Sequence, residues 1–141
     1  MTDTPTTDTA EWLVEGGLCA ELWWSTGGYR AAVVTIERLT SAQVQIAGRP
    51  SRFRRSDLQE IGSRGRGSKL CPLSDPVVVA CRARAVMESA FGLLDRLERS
   101  ASRGVEPEDL LAEAQRILSV AEIRMQNARA GMPDAPYESG E

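Results

Sequence analysis

Histidine is absent from these 141 residues, and lysine occurs once, at Lys69. Without imidazole there is no Ser–His or Cys–His nucleophile pair and no general base whose ordinary pKa lies near neutrality. Cysteine is scarce and odd in number: Cys19, Cys71 and Cys81 lack CxxC spacing and sit in or beside apolar segments. They read as buried thiols of a reducing compartment, and a zinc site would have to combine them with carboxylates alone. No GxxxxGK[ST] phosphate loop occurs. The glycines of Gly62-Ser63-Arg64-Gly65-Arg66-Gly67 lie between arginines instead of between a strand and a helix. Long hydrophobic runs are missing too. The longest strongly apolar stretch, Val77 to Cys81, is far short of the roughly 20 residues of a membrane span. Met1 to Ala10 carries neither a basic n-region nor an apolar h-region. These absences lead to the expectation of a cytoplasmic, non-enzymatic protein with no cofactor, no metal and no membrane attachment.

What is present is globular in composition, 42% hydrophobic and 26% charged, enough for one ordinary domain. The net charge of −3 conceals an uneven distribution. Residues 1–48 carry two Arg against six acids, and residues 70–141 carry eight Arg against twelve acids. Between them, residues 49–69 hold six Arg and Lys69 against Asp57 and Glu60, a net of +5. Arg49, Arg52, Arg54, Arg55, Arg64, Arg66 and Lys69 form this basic island. Guanidinium forks suit phosphate oxygens, so the island is a candidate nucleic-acid contact. Two other readings stay open: the arginines pair with the acidic helices or are simply solvated, or they meet an acidic protein partner. Phe53 is the one aromatic residue in the island, which is thin for a single-strand binder.

Residues 1–10 are expected to be a disordered leader, having nothing apolar to bury. From residue 11 to residue 62 short alternating runs are separated by turn residues. Leu18 to Trp24 alternates, and its parity predicts Leu18, Ala20, Leu22 and Trp24 toward the core. Trp23 then faces the other way, beside Tyr29 across the Ser25-Thr26-Gly27-Gly28 turn. Tyr29 to Leu39 is a longer, β-branched strand, followed by Gln43 to Ala47 and by Ser51 to Arg54. In the last of these, Phe53 is expected inside with Arg52 and Arg54 outside. One helical turn capped by Ser56 and a short strand over Gln59 to Ile61 complete the set.

Such a meander removes its exposed edges by curling. Together with Tyr29-Arg30 and the string Arg52-Phe53-Arg54-Arg55-Ser56-Asp57-Leu58-Gln59-Glu60-Ile61, this order resembles SH3-like (Tudor- or KOW-like) barrels. It is similar, more narrowly, to small proteins encoded by actinobacterial phages and their hosts. The resemblance covers about a third of the chain and brings no functional residues of its own. It implies that aromatics beside the first loop, here Trp23 and Tyr29, line a groove for a protein ligand, unless a helix covers Trp23.

Residues 63–73 read as a flexible basic linker. After it the period becomes helical. Ser74 or Asp75 caps a helix begun by Pro76, with Val79, Ala83, Val86, Ala90, Leu93 and Leu97 as its stripe. Gly104 marks the break, and Pro107 starts a second helix with Glu108 and Asp109 at its positive end. Gly131 and Pro133 stop it, and residues 132–141 are expected to be a disordered tail. The fold expected is therefore α+β, a small SH3-like β-barrel over 11–62 followed by a long antiparallel helical hairpin over 74–131. Two helices of this length overrun a small barrel, so their apolar stripe is expected to pair with another copy as a homodimer. The function expected is a protein-interaction module, with a nucleic-acid-binding accessory factor or an assembly component as alternatives.

Overall fold

The computed structural model describes residues 10–62 and 67–134. Arg64, Arg66, the expected leader apart from Ala10, and the tail beyond Asp134 lie outside the described residues. A 3-10 turn, Ala10–Trp12, precedes five strands: β1 (Leu18–Ser25), β2 (Gly28–Leu39), β3 (Gln43–Ile46), β4 (Arg52–Arg54) and β5 (Lys69–Cys71). Two helices follow, α1 (Pro76–Ala101) and α2 (Pro107–Arg129). The class is α+β.

The strands form one antiparallel sheet in the order β4-β3-β2-β1-β5. It curls, because residues 58–61 bridge its two edges. Arg54 N donates to Gln59 O and Ile61 N to Arg52 O on one side. On the other, Glu60 N donates to Ser68 O and Leu70 N to Leu58 O. The expected strand at Gln59 to Ile61 is thus a pair of isolated bridges, Phe53 to Glu60 and Gln59 to Lys69. Leu58, at φ 63, is the one non-glycine with positive φ among the described residues. Its buried side chain and these backbone bonds hold it in a conformation costing an L-residue about 1–2 kcal/mol. The end of the expected linker is ordered: Lys69 to Cys71 pairs with Ala20 to Leu22 of β1 as a sheet strand. Leu70 and Cys71 are both buried, and their burial outweighs the glycine-rich run before them.

Inside the curl, Cys19, Ile36, Val44, Ile46, Phe53, Leu58 and Leu70 form the core, with Leu13 packed among them and Trp12 at its margin. Phe53 is fully buried while Arg52 and Arg54 are exposed, as the alternation in β4 requires. A second cluster, Ala20, Cys71, Leu73 and Val78, joins the outside of β1 to the start of α1. The parity of β1 is therefore the reverse of the expectation. Cys19 enters the barrel-like core, while Ala20 and Leu22 turn toward the helix. Both faces of β1 lose water there, so apolar alternation alone does not tell the two apart. Trp24, expected in the core, is 66% exposed.

Asp75 caps α1, its Oδ1 accepting from Val77 N at 2.8 Å and from Val78 N at 3.4 Å, and Pro76 supplies a pre-set φ. The helices run about 39 and 35 Å at 1.5 Å per residue, set by their 26 and 23 residues. Val78, Arg82, Val86 and Ala90 of α1, at i, i+4 spacing, are the buried row, with Ile117 and Ala128 of α2. The expected stripe missed Val78 and Arg82. The rows flanking it are open to solvent: Met87 is 45% exposed, Phe91 63%, Leu111 60% and Leu118 54%. Rotating from the shared seam, Met87 and Phe91 lie on the same side of α1 as Leu111 and Leu118 do of α2. Antiparallel packing brings the two rows onto one broad face.

Candidate functional site

Beyond the reach of β3 and β5, β1 and β2 continue as a two-stranded ribbon. Trp24 pairs with Tyr29 and Ser25 with Gly28 around the turn at Thr26-Gly27. Gly27 and Gly28 have φ of 96° and 121°, conformations that suit glycine. Helix α1 grips this tip. Arg84 Nη1 donates to Gly27 O at 3.0 Å, and the Cys81 thiol donates to Tyr29 O at 3.5 Å. Glu88 accepts from Arg30 at 3.0 Å and from Arg84 Nε at 3.1 Å. The Arg30 hydrogen bond, with Arg84 adding, holds the Glu88 carboxyl below its ordinary pKa.

With the ribbon backbone held by α1, the Trp24 and Tyr29 rings remain exposed. Their centroids are 5.0 Å apart at 85°, an edge-to-face pair. They border a groove of about 380 Å³ between the ribbon tip, β5 and the start of α1. Trp23, Leu22 and Val77 add apolar wall, and Lys69 and Asp75 add one charge of each sign. Trp23 and Tyr29 thus line one groove, and Trp23 is half-buried in it. Trp24 is absent from the expected contacts because strand parity places it inside. The signal that could have found it is its place one residue before the turn, where a short ribbon has nothing to cover both faces.

The basic island does not form a single surface. Arg49 pairs with Glu21, whose side chain is 6% exposed. Lys69 stands across the sheet at the groove. Arg52, Arg54 and Arg55 remain together. Arg54 makes two parallel contacts with Asp57, Nε to Oδ1 at 3.2 Å and Nη2 to Oδ2 at 3.1 Å. The Arg54 bond first, and the Gln59 N–H second, hold the Asp57 carboxyl below its ordinary pKa. Arg55 Nη1 donates to Thr40 O at 2.8 Å. Among the described residues none of these arginines pairs with a helix. The helix-to-sheet ion pair uses Arg30 instead. Register adds a residue that sequence spacing hid: Arg38, Gln45 and Arg52 stand side by side on β2, β3 and β4. Arg38 and Arg52 make no ion pair among the described residues, and with Gln43 they edge a small hollow of about 110 Å³.

Among the described residues no cluster of three Cys, Asp or Glu is placed to hold a metal ion. The thiols are free. Burial, with Cys71 and Glu21 nearby, pushes Cys19 up to about 12, and burial raises Cys71 and Cys81 as well. Such thiols are poor nucleophiles at neutral pH. No helix of the described residues is long and apolar enough to cross a membrane. Comparison with known protein families, with curated proteins and with solved structures finds no match.

Glu21 gives Arg49 a structural role that can be measured. Removing one partner of a buried pair costs about 3–5 kcal/mol, and the 43% exposure of the Arg49 side chain reduces this. Arg49→Ala is expected to lose about 2 kcal/mol of stability in urea unfolding. Glu21→Gln in the same chain should return most of it, and an unchanged Arg49→Ala midpoint would contradict the pairing.

Proposed function

We propose that this chain is a non-enzymatic protein-interaction module, an SH3-like barrel that presents an aromatic groove to a protein partner. A phage or actinobacterial accessory protein engaging a host protein fits that reading, following the resemblance of its barrel segment. The observation that carries it is the outward Trp24–Tyr29 pair: two large rings left in water at a ribbon tip, held by hydrogen bonds to α1. Aromatic anchors in a partly enclosed groove supply much of the energy of protein interfaces. Trp23, Tyr29 and Trp24 would be the contacts, with Lys69 and Asp75 orienting the partner.

One observation favours a second reading, a nucleic-acid-binding accessory factor. The Arg38–Gln45–Arg52 row, with Arg54 and Arg55 beside it, is a sheet face of cations and amides suited to a phosphate backbone. A single set of variants separates the two readings. Affinity capture from actinobacterial lysate, treated with nuclease, is compared for wild type, Trp24→Ala/Tyr29→Ala and Arg38→Ala/Arg52→Ala, each first checked for an unchanged melting temperature. The groove reading expects specific proteins that only the aromatic variant loses. An identical set from wild type and the aromatic variant contradicts it. The second reading expects fluorescence-measured binding to DNA or RNA that falls steeply between 50 and 200 mM salt and needs Arg38 and Arg52, about as counterion release dictates. No binding at low salt removes it.

Self-association is proposed on separate grounds. The Met87, Phe91, Leu111 and Leu118 face is the kind of apolar surface that two helices alone leave uncovered. Light scattering on the full chain is expected to give a dimer that Phe91→Glu/Leu118→Glu converts to monomer. A wild-type monomer at tens of micromolar contradicts this, and a higher oligomer would favour an assembly component.

A further inference from the structure

At the base of the hairpin, away from the groove and the basic face, Arg82 occupies a position in the buried row of α1. Its side chain is 8% exposed. Among the described residues its Nη1 is buried without a hydrogen-bond partner, and its Nη2 lies 3.7 Å from Asp134 Oδ1, an ion pair too long for a hydrogen bond. From α2, Arg124 Nε donates to Asp134 Oδ2 at 3.3 Å and Asn127 Nδ2 to Oδ1 at 3.4 Å. The chain reaches this place by a reversal after α2. Gly131 has φ 69 and approaches Ser74 so closely that an added Cβ would lie 3.3 Å from its Cα. Met132 N then donates to Asn127 O at 2.9 Å and directs the backbone toward Asp134. Part of the expected disordered tail is therefore folded back onto the helices.

Asp134 fills this place incompletely. Two guanidiniums face one carboxylate, which leaves an excess positive charge among the described residues. All three contacts exceed the 2.7–2.9 Å usual for charge-assisted bonds, and a fourth donor has no acceptor among the described residues. Burial lowers the pKa of Arg82, Asp134 opposes that shift, and Arg124 adds to it. The seat opens outward through its occupant, since the Asp134 side chain is 39% exposed and that of Arg124 36%.

We infer that Arg82, Arg124 and Asn127 form an oxyanion seat for a phosphate group, with Asp134 as its internal occupant. A dianionic, four-oxygen group matches the charge of the two arginines and offers an acceptor to the unpaired Nη1, which a carboxylate at these distances does not. Binding of phosphate releases Asp134 and couples the anion to the path of the chain after α2.

Thermal unfolding of the full chain in chloride at constant ionic strength, with inorganic phosphate or O-phosphoserine added, tests this. Asp134→Ala is expected to melt several degrees below wild type in chloride and to regain that loss saturably at millimolar phosphate. Wild type should respond less, because its own carboxylate competes. Asp134→Ala/Arg124→Ala should show no saturable gain, which separates the seat from general salting-out. Recovery with both anions supports a seat for phosphate monoesters, and recovery with inorganic phosphate alone supports a seat for the free ion. The inference is overturned if Asp134→Ala melts with wild type, or if the double variant responds to phosphate as the single one does. Should Asp134→Ala fail to fold, Asp134→Asn, which removes the charge and keeps the shape, takes its place with the same outcomes.

Discussion

The grip of helix α1 on the tip of the β1–β2 ribbon is the constraint on which the exposed chemistry depends. A two-stranded ribbon is marginal on its own in water. Past residue 22, β1 has only β2 as a strand partner among the described residues. Arg84 on the Gly27 carbonyl, Cys81 on the Tyr29 carbonyl and the Arg30–Glu88–Arg84 chain replace the missing strands. Val78, fully buried against Ala20 and Cys71, fixes the helix from which they reach. The rings can then remain in water without the ribbon fraying. Surface ion pairs of this kind are individually weak, about 0–1 kcal/mol, so it is their combination with the buried Val78 contact that holds the tip.

The same helix explains how far the fold was legible in sequence. Elements with a single buried face read correctly. Alternation in β4 placed Phe53 inside and its flanking arginines outside, and the helix boundaries followed from Asp75-Pro76 and Pro107. Trouble came where an element is covered on both sides. Ala20 and Leu22 in β1 pack against the start of α1 through Val78, and period-two patterning cannot distinguish that cover from a barrel interior. Lys69 to Cys71 reads as linker because three residues after a Gly/Arg run carry too little pattern to announce a strand. Arg82 is illegible in sequence for a different reason. A guanidinium in a buried row is tolerable only with a carboxylate, and that carboxylate arrives from 52 residues downstream by way of a glycine reversal.

Charge follows a similar logic. Counted along the chain, residues 49–69 are one island, yet the fold distributes them among separate tasks. Arg49 neutralises a buried glutamate, Arg54 and Arg55 tie down neighbouring turns, and Lys69 stands at the groove. Arg38, outside the island in sequence, joins Arg52 through strand register. A linear charge count therefore locates basic character without locating a basic surface.

Amide hydrogen exchange tests the central claim most directly, because it reads the ribbon tip separately from the rest of the sheet. In Arg84→Ala/Glu88→Ala, residues 23–30 are expected to exchange markedly faster than in wild type, with Val34 to Ile46 unchanged. Unaltered protection at residues 23–30 would contradict a helix-held tip, and equal loss across the sheet would show that the two residues stabilise the whole fold instead.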